Sequence, residues 1–318
     1  MKKFTSIHDV QNLNGLIELA QTYKQQAFRD AQLGQHKRLV LLFFNPSLRT
    51  RLSTQAAAHQ LGLYSITMNA ANGWQLEFEE GKIMNANKAE HIKEAAAVIS
   101  QYADIIGIRT FPSLDDRAKD YSDFILHQFI QYASVPVVSL ESAIRHPLQS
   151  LADLLTIAEH KERQRPKVVL SWAPHPKALP QAVANSFVEW VAATDAELVV
   201  THPPGYELAP EFGQQAQVVY DQKAAFEEAD FVYVKNWSSY KHYGQRLAQD
   251  HNWMVTLDKL QACPDAKVMH CLPVRRNVVI EGKVLDSPHS LVIEQANNRT
   301  FAAQAVLSCL LNPKNILC

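Results

Sequence analysis

Residues 38–44 are apolar almost without a break, from Leu39 through Phe44. A strand packed on one face alternates apolar and polar residues. A continuous run marks a strand covered on both faces, as in the parallel sheets of α/β proteins. Further strands are predicted at 64–68, 104–108 and 135–140. Between them the apolar positions fall at helical spacing: over 11–30, over the alanine-rich stretch 52–62, over 88–103 with Ile92, Ala95, Ala96, Ile99 and Tyr102 on one face, and around 121–133. The β-α-β-α-β order predicts a doubly wound α/β sheet.

The pattern restarts after residue 146. Pro147 occupies the first position of a helix running to about 161, a place where proline's missing N–H costs nothing. Strands are predicted at 167–172, 197–201, 231–234, 267–269 and 291–293, with helices between them, including 181–193. A proline-rich loop spans 173–180. The last helix, about 296–311, is expected to pack back on the first domain. The pattern thus gives two domains, 1–145 and 146–318, with no flexible linker between them.

Composition narrows the function. A chain of 318 residues, 47% of them hydrophobic, has enough apolar mass for two cores. A net charge of -1 gives no bias toward nucleic acid or an anionic membrane. Met1-Lys2-Lys3 leads into polar residues, and no apolar run reaches about 18 residues, so a cytoplasmic protein is expected. The four cysteines have no CxxC spacing, which argues against a zinc site or a disulfide framework and fits a reducing compartment. The ten glycines are never closer than eight residues apart, so neither GxGxxG nor a Walker A loop is present. No HExxH occurs, and no metal or cofactor is expected.

The chemistry gathers where strands end. Phe44-Asn45-Pro46-Ser47-Leu48-Arg49-Thr50-Arg51 joins a strand to a helix. A helix start offers unpaired N–H groups and the positive end of its dipole, and arginine forks add geometry-matched donors, so this loop suits a phosphate. Arg109 follows the strand at 104–108; Glu141 and His146 follow 135–140; His175 follows 167–172. Lys235 and Trp237 follow 231–234, and His270, Cys271 and Arg275 follow 267–269. In open parallel sheets ligands sit beyond the carboxyl ends of strands. This density of Arg, His and Lys predicts one functional cleft for anions between the two domains. Singly, each residue has a plainer reading: a solvated helix-start charge for Arg49 and Arg51, a cap for His146, a cap or ion pair for Glu141, a structural role for His175, a surface position for Lys235, packing for Trp74, Trp172 and Trp237. Arg275 and Arg276 are adjacent, so their side chains diverge and one of them enters the site.

Three motifs in order, the Ser47-x-Arg49-Thr50-Arg51 loop, His146-Pro147-Leu148-Gln149 and His270-Cys271-Leu272-Pro273, resemble the aspartate/ornithine carbamoyltransferases. The resemblance covers nearly the whole chain. It implies two Rossmann-like domains, the first binding carbamoyl phosphate and the second the amine, in a homotrimer with sites at subunit interfaces. Ornithine carbamoyltransferases carry a Ser-Met-Gly loop that grips a free α-amine; here the matching region reads Lys235-Asn236-Trp237-Ser238-Ser239. Trp74, the loop at 173–180 and the Lys-Asn-Trp stretch are similar to N-acylornithine transcarbamylases, which implies a trefoil knot around that loop. The acetyl type resembles Glu-Glu-His where this chain has Ala89-Glu90-His91, and has a lysine at the position of Val279. The succinyl type has proline at the first position and an apolar residue at the second. A carboxylate at 89 would repel a succinyl carboxylate, so Ala89 favours N-succinyl-L-ornithine.

The resemblance implies the following roles. Ser47, Leu48, Arg49, Arg51, Arg109 and Arg299 bind the phosphate, with Trp74 reaching it from the adjacent subunit. Thr50, Arg109 and His146 are catalytic, polarising the carbamoyl oxygen. Pro147, Leu148, Gln149 and the carbonyls of Cys271 and Leu272 complete the carbamoyl phosphate site, with Leu272–Pro273 expected cis. Glu141, His175, Lys235, Arg275 and Ala89 are assigned to the acylornithine. N-acetyl-L-ornithine and then ornithine remain as alternative acceptors, and a non-catalytic anion-binding module as the alternative to an enzyme.

Overall fold

The computed structural model describes residues 1–70, 74–247 and 250–312. The chain forms two compact units. Unit 1 takes Met1–Ser113, Ala118–Leu148 and the last segment from Arg299; unit 2 takes Leu114–Arg117 and Gln149–Asn298.

Unit 1 is built on strands β1 (Lys3–Phe4), β2 (Arg38–Phe43), β3 (Tyr64–Asn69), β4 (Leu76–Glu77), β5 (Glu90–His91), β6 (Ile105–Arg109) and β7 (Val137–Glu141). Its main sheet has the order β1-β7-β6-β2-β3, and every pairing in it is parallel. Strands β4 and β5 form a separate parallel pair. The apolar run of β2 is buried from Leu39 to Phe43 because the strand lies inside the sheet, whereas β3, at the edge, leaves Tyr64 exposed. Helix Ile92–Tyr102 turns its Ile92, Ala95, Ala96 and Ile99 face into a core shared with Val40 and Phe129.

Unit 2 holds β8 (Lys167–Trp172), β9 (Glu197–Thr201), β10 (Gln217–Val219), β11 (Phe231–Lys235) and β12 (Lys267–Met269). They form an all-parallel sheet of order β10-β9-β8-β11-β12. Val169, Val199, Phe226, Val232 and Val268 fill its core. Trp172 and Trp237 are fully buried and bonded to backbone carbonyls, Trp172 Nε1 to Trp237 at 3.0 Å and Trp237 Nε1 to Tyr206 at 2.7 Å. Both therefore pack, and neither presents an indole to solvent.

Several boundaries differ from the sequence expectation. The strand predicted at 291–293 does not form. Val292 opens the last helix, Val292–Leu311, and the Gln295 N–H already bonds the Leu291 carbonyl at 2.8 Å. Sheet-like pairing there is limited to an isolated bridge between Ser290 and Val268. The opening helix ends at Gln25, short of 30. The helix expected around 121–133 is broken into Arg117–Tyr121 and Phe124–Tyr132, with Asp123 left-handed at φ 47 between them. Strand β10 and the β4–β5 pair are additional, too short to leave a period in the sequence. Cys263 and Cys271 are free, but Cys309 is disulfide-bonded, against the absence of disulfides expected from the cysteine spacing. Cys318 lies outside the described residues. No helix of the described residues is long and apolar enough to cross a membrane.

Helix Arg49–Gln60 follows the Ser47–Leu48 loop, and Gly62 terminates the turn at its other end with φ +78. A Cβ there would lie 2.2 Å from the Ala31 carbonyl oxygen. Gly62→Ala is expected to lower unfolding stability by about 1–3 kcal/mol through clash and left-handed strain. Urea denaturation measures this; an unchanged midpoint would mean the 31–35 turn moves aside without cost.

Candidate active site

In unit 1 the chain runs outward from β2 to β3, then returns to the other side of β2 as β6 and β7. The strand order thus reverses between β2 and β6, and their carboxyl ends flank the switch point where open α/β sheets bind ligands. Thr50 follows β2, and Arg109 ends β6. Unit 2 repeats the plan between β8 and β11, with His175 following the first and Lys235 ending the second.

The unit 1 residues converge on one hydroxyl. Thr50 Oγ1 accepts from Arg109 Nη1 at 3.3 Å and from Arg299 Nη2 at 2.6 Å. Both guanidiniums are buried, 7% and 5% exposed. A hydroxyl has two lone pairs and one proton; with both lone pairs so occupied, its proton is what it offers a ligand. Glu141 holds the rest of the group. Its Oε2 pairs with Arg109 Nη1 in a short contact and lies 3.4 Å from His146 Nε2. A register shift between Ile108 and Arg109 sets Arg109 opposite Glu141 in the β6–β7 ladder, and such irregularities re-aim side chains at strand ends.

Ser47 and Leu48 precede the helix, and Leu48 at the cap position makes no side-chain capping bond. The positive end of the helix dipole therefore faces this loop without a side chain from the cap position bonded to it. Arg51 is held by Asn69 Oδ1 at 2.5 Å and stacks on the Phe43 ring at 4.9 Å. The loop leading to His146 is tied to Asp123, whose carboxylate accepts from Ser142 Oγ at 2.7 Å and from the Ala143 N–H at 3.0 Å. Burial raises the Asp123 carboxyl above its ordinary range, against those two bonds. Pro147 starts its helix, and Leu148 is buried.

In unit 2, Arg275 Nε donates to His175 Nε2 at 3.0 Å, joining residues a hundred positions apart. The other ring nitrogen, Nδ1, lies 3.0 Å from the Lys177 carbonyl. Burial first, then nearby Lys235, Arg275 and Lys177, lower the His175 pKa, so the ring is neutral and its Nε2 accepts. Lys235 is buried, and its carbonyl receives the Ala173 N–H at 3.1 Å. Arg276 turns away to clasp Asp286 with two bonds of 2.7 Å, which leaves Arg275 as the arginine facing His175. The Leu272–Pro273 bond is cis, and the His270 ring accepts the Leu272 N–H at 2.8 Å. Gln149 donates to Asp153 at 2.7 Å.

Two expected residues stand apart from these groups. Trp74 packs against the unit 1 core and its indole donates to Glu90 at 3.0 Å; Ala89 is exposed beside it, its N–H on the Gln75 carbonyl at 2.9 Å. Glu141 was assigned to the acylornithine, but its immediate partners are Arg109 and His146. Sequence reading missed Asp123, Asp153 and Gln295. A carboxylate inside the apolar run Leu151-Ala152-Asp153-Leu154-Leu155 was a usable signal for Asp153; a glutamine on a helix was none. Glu159, His160 and Glu294 bring ligand atoms within 4.8 Å of one another. His160 and Glu294 already form an ion pair at 3.0 Å, an arrangement that needs no ion.

The geometry is that of a known class. Residues 2–159 match the family model for the aspartate/ornithine carbamoyltransferase carbamoyl-P binding domain, and residues 180–310 match the Asp/Orn binding domain. The chain belongs to the aspartate/ornithine carbamoyltransferase family. It is 51% identical over 314 residues to an N-succinylornithine carbamoyltransferase of Bacteroides thetaiotaomicron, covering 98% of this chain and 99% of that one. An N-acetylornithine carbamoyltransferase of Xanthomonas axonopodis is 34% identical, over 96% of this chain and 94% of its own. Among solved structures, a glutamate-to-alanine mutant of N-acetyl-L-ornithine transcarbamylase, complexed with carbamyl phosphate and N-succinyl-L-norvaline, superposes with a TM-score of 0.92 at 33% identity. That match covers 98% of this chain and 100% of the other.

Removing the Glu141 charge leaves Arg109 buried without its carboxylate. Glu141→Gln is expected to cost about 3–5 kcal/mol of unfolding free energy in urea; a loss below about 1 kcal/mol would mean that solvent reaches the pair. The His175 ring gives a pH signature. Its folded pKa lies below the unfolded value of about 6.5. The unfolded chain therefore takes up this proton first as pH falls, and stability drops from about 6.5 down to the folded pKa. Denaturation at pH 7.5 and 5.5 should show a smaller acid loss in His175→Gln than in the wild type; equal losses would contradict the assignment.

Proposed function

We propose that the protein transfers the carbamoyl group of carbamoyl phosphate to the δ-amine of N-succinyl-L-ornithine, giving N-succinyl-L-citrulline and phosphate, as a step of arginine biosynthesis. The observation that carries this reading is the convergence of Arg109 and Arg299 on Thr50 at the uncapped start of helix Arg49–Gln60.

The helix N-terminus, Ser47, Arg49, Arg51 and Arg299 hold the phosphate dianion. Thr50 donates its proton, and Arg109 and His146 their N–H groups, to the carbamoyl oxygen. That oxygen becomes an oxyanion as the amine adds to the carbon, and donors fixed beforehand stabilise it by several kcal/mol. Glu141 acts through Arg109 and His146, keeping both in place. Gln149 and the Cys271 and Leu272 carbonyls accept from the carbamoyl NH2. Collapse of the tetrahedral adduct breaks the bond to phosphate, and the proton shed by the attacking nitrogen leaves with it as hydrogen phosphate. The attacking amine must be neutral, and with a reference pKa of about 10.4 only about one molecule in a thousand is so at pH 7. Surrounding cations favour that neutral form. Arg275 and Lys235, with His175, receive the carboxylates of the acceptor.

The succinyl acceptor is supported by Ala89 and Val279. Val279 is an apolar core residue, as in the succinyl type. The solved mutant complexed with N-succinyl-L-norvaline has likewise lost a glutamate carboxylate. N-acetyl-L-ornithine is the alternative, favoured by the 34% identical relative. The assembly proposed is a cytoplasmic homotrimer in which Trp74 reaches the neighbouring site, exchanging its Glu90 bond for the phosphate. Ile83 and Met84, exposed large apolar residues in the same stretch, support its docking against another copy. A knotted crossing is supported by the bonds that pin loop 173–180: Asn236 Nδ2 to the Ala173 carbonyl at 2.6 Å and Ser238 N to the Leu179 carbonyl at 2.9 Å.

Phosphate release from carbamoyl phosphate, measured with N-succinylornithine, N-acetylornithine, ornithine and aspartate, tests the reading. N-succinylornithine should give the highest kcat/KM, and strong turnover of free ornithine would sink the acylated acceptor. Ala89→Glu should move the succinyl-to-acetyl ratio toward acetyl by about tenfold or more, since a like charge facing the succinyl carboxylate is repulsive. An unchanged ratio would remove Ala89 from the specificity set.

A further inference from the structure

A buried carboxylate in unit 2 has no part in the roles given so far. Asp153 is 0% exposed. Its Oδ1 accepts two side-chain amides, Gln149 Nε2 at 2.7 Å and Gln295 Nε2 at 2.6 Å. Gln295 passes the connection on: its Oε1 accepts the His270 N–H at 2.8 Å, and His270 Nδ1 accepts the Leu272 N–H at 2.8 Å. One oxygen thus links the Gln149 side chain to the main chain of residues 270–272. Tyr233, also fully buried, neighbours this group; burial first, then Asp153 and Cys271, push its hydroxyl well above its ordinary range, so it stays neutral.

The chemistry of a carboxylate makes this link directional. An ionised carboxylate only accepts hydrogen bonds, whereas a glutamine amide has a donor end and an acceptor end. Asp153 therefore decides which way both amides point. Gln149 must turn its NH2 inward and meet a ligand with its carbonyl oxygen. Gln295 must turn its NH2 inward and give its carbonyl to His270. A carbamoyl NH2 group carries only donors, so it needs acceptors: the Gln149 oxygen and the carbonyls of Cys271 and Leu272. Both sets trace back to the same aspartate.

We infer that Asp153 is a positioning residue for the carbamoyl NH2, fixing the amide orientation of Gln149 and, through Gln295 and His270, the backbone that carries the Cys271 and Leu272 carbonyls. The inference rests on the carbamoyltransferase reading above. Asp153→Asn keeps the volume but puts an NH2 donor in place of one carboxylate oxygen, where both amides need an acceptor.

The test uses the full chain, with phosphate release, KM for each substrate and thermal midpoint measured for Asp153→Asn in wild-type and Gln149→Ala backgrounds. In the wild-type background kcat should fall by about tenfold or more, while KM for N-succinylornithine moves less than about threefold. In the Gln149→Ala background the same change should cost clearly less than in the wild type, the remainder running through Gln295 and His270, because residues acting through one another are not additive. A purely structural role would lower both backgrounds by the same factor, and that result overturns the assignment, as does an unchanged kcat. Should Asp153→Asn not fold, Asp153→Glu, which shifts the carboxylate by one methylene, supports the same comparison. A wild-type chain that releases phosphate with no acceptor in the panel overturns the transferase reading and this assignment with it. Wild-type turnover with equal losses in both backgrounds overturns the Asp153 assignment alone.

Discussion

The ion pair between Glu141 and Arg109 is the constraint on which unit 1 depends. A guanidinium inside a protein is costly to leave alone, and its position is set by the carboxylate that accompanies it. Here the carboxylate ends β7, the guanidinium ends β6, and the ladder between them shifts register just before Arg109. Backbone geometry thereby fixes where a charge sits. His146 shares the same carboxylate, and Thr50 receives the same arginine. Four residues from three chain segments are therefore placed by one pairing, and Arg299 joins them through the Thr50 hydroxyl.

The two units solve different problems with the same topology. Each has a parallel five-stranded sheet whose order reverses once, and each puts its chemistry at that reversal. Unit 1 presents donors: arginines, a hydroxyl and helix N–H groups. Unit 2 mixes the two kinds. Lys235 and Arg275 are cationic, while in the 270–273 loop the His270 ring accepts the Leu272 N–H.

Much of this was legible in the sequence, for physical reasons. Strands covered on both faces write long apolar runs, so β2, β6, β8 and β11 could be placed to within a residue or two. Binding anions demands particular residue types next to strand ends, so Thr50, Arg109, His146, His175 and Arg275 stood out. What was hidden depended on pairing across distance. Leu291-Val292-Ile293 reads as a strand because β-branched residues favour one, yet the segment opens a helix once Gln295 bonds Leu291. Nothing local shows that Glu141 pairs with a residue thirty-two positions away. Asp123 gave no period at all; its left-handed turn exists to meet Ser142 and Ala143.

The division of the chain has a consequence for its synthesis. Unit 1 is not contiguous: it opens the chain, is interrupted by almost all of unit 2, and closes with the segment from Arg299. Tyr23, buried among the first twenty-five residues, bonds Ser308 at 2.8 Å. A ribosome delivers the first strands early and the segment that completes their core last. Until that segment emerges, Thr50 and Arg109 exist but Arg299, which bonds the Thr50 hydroxyl, does not. Domains that fold as units while they emerge do so from continuous stretches; in this chain only unit 2 comes close to one, and unit 1 cannot close its core before the segment from Arg299 is made.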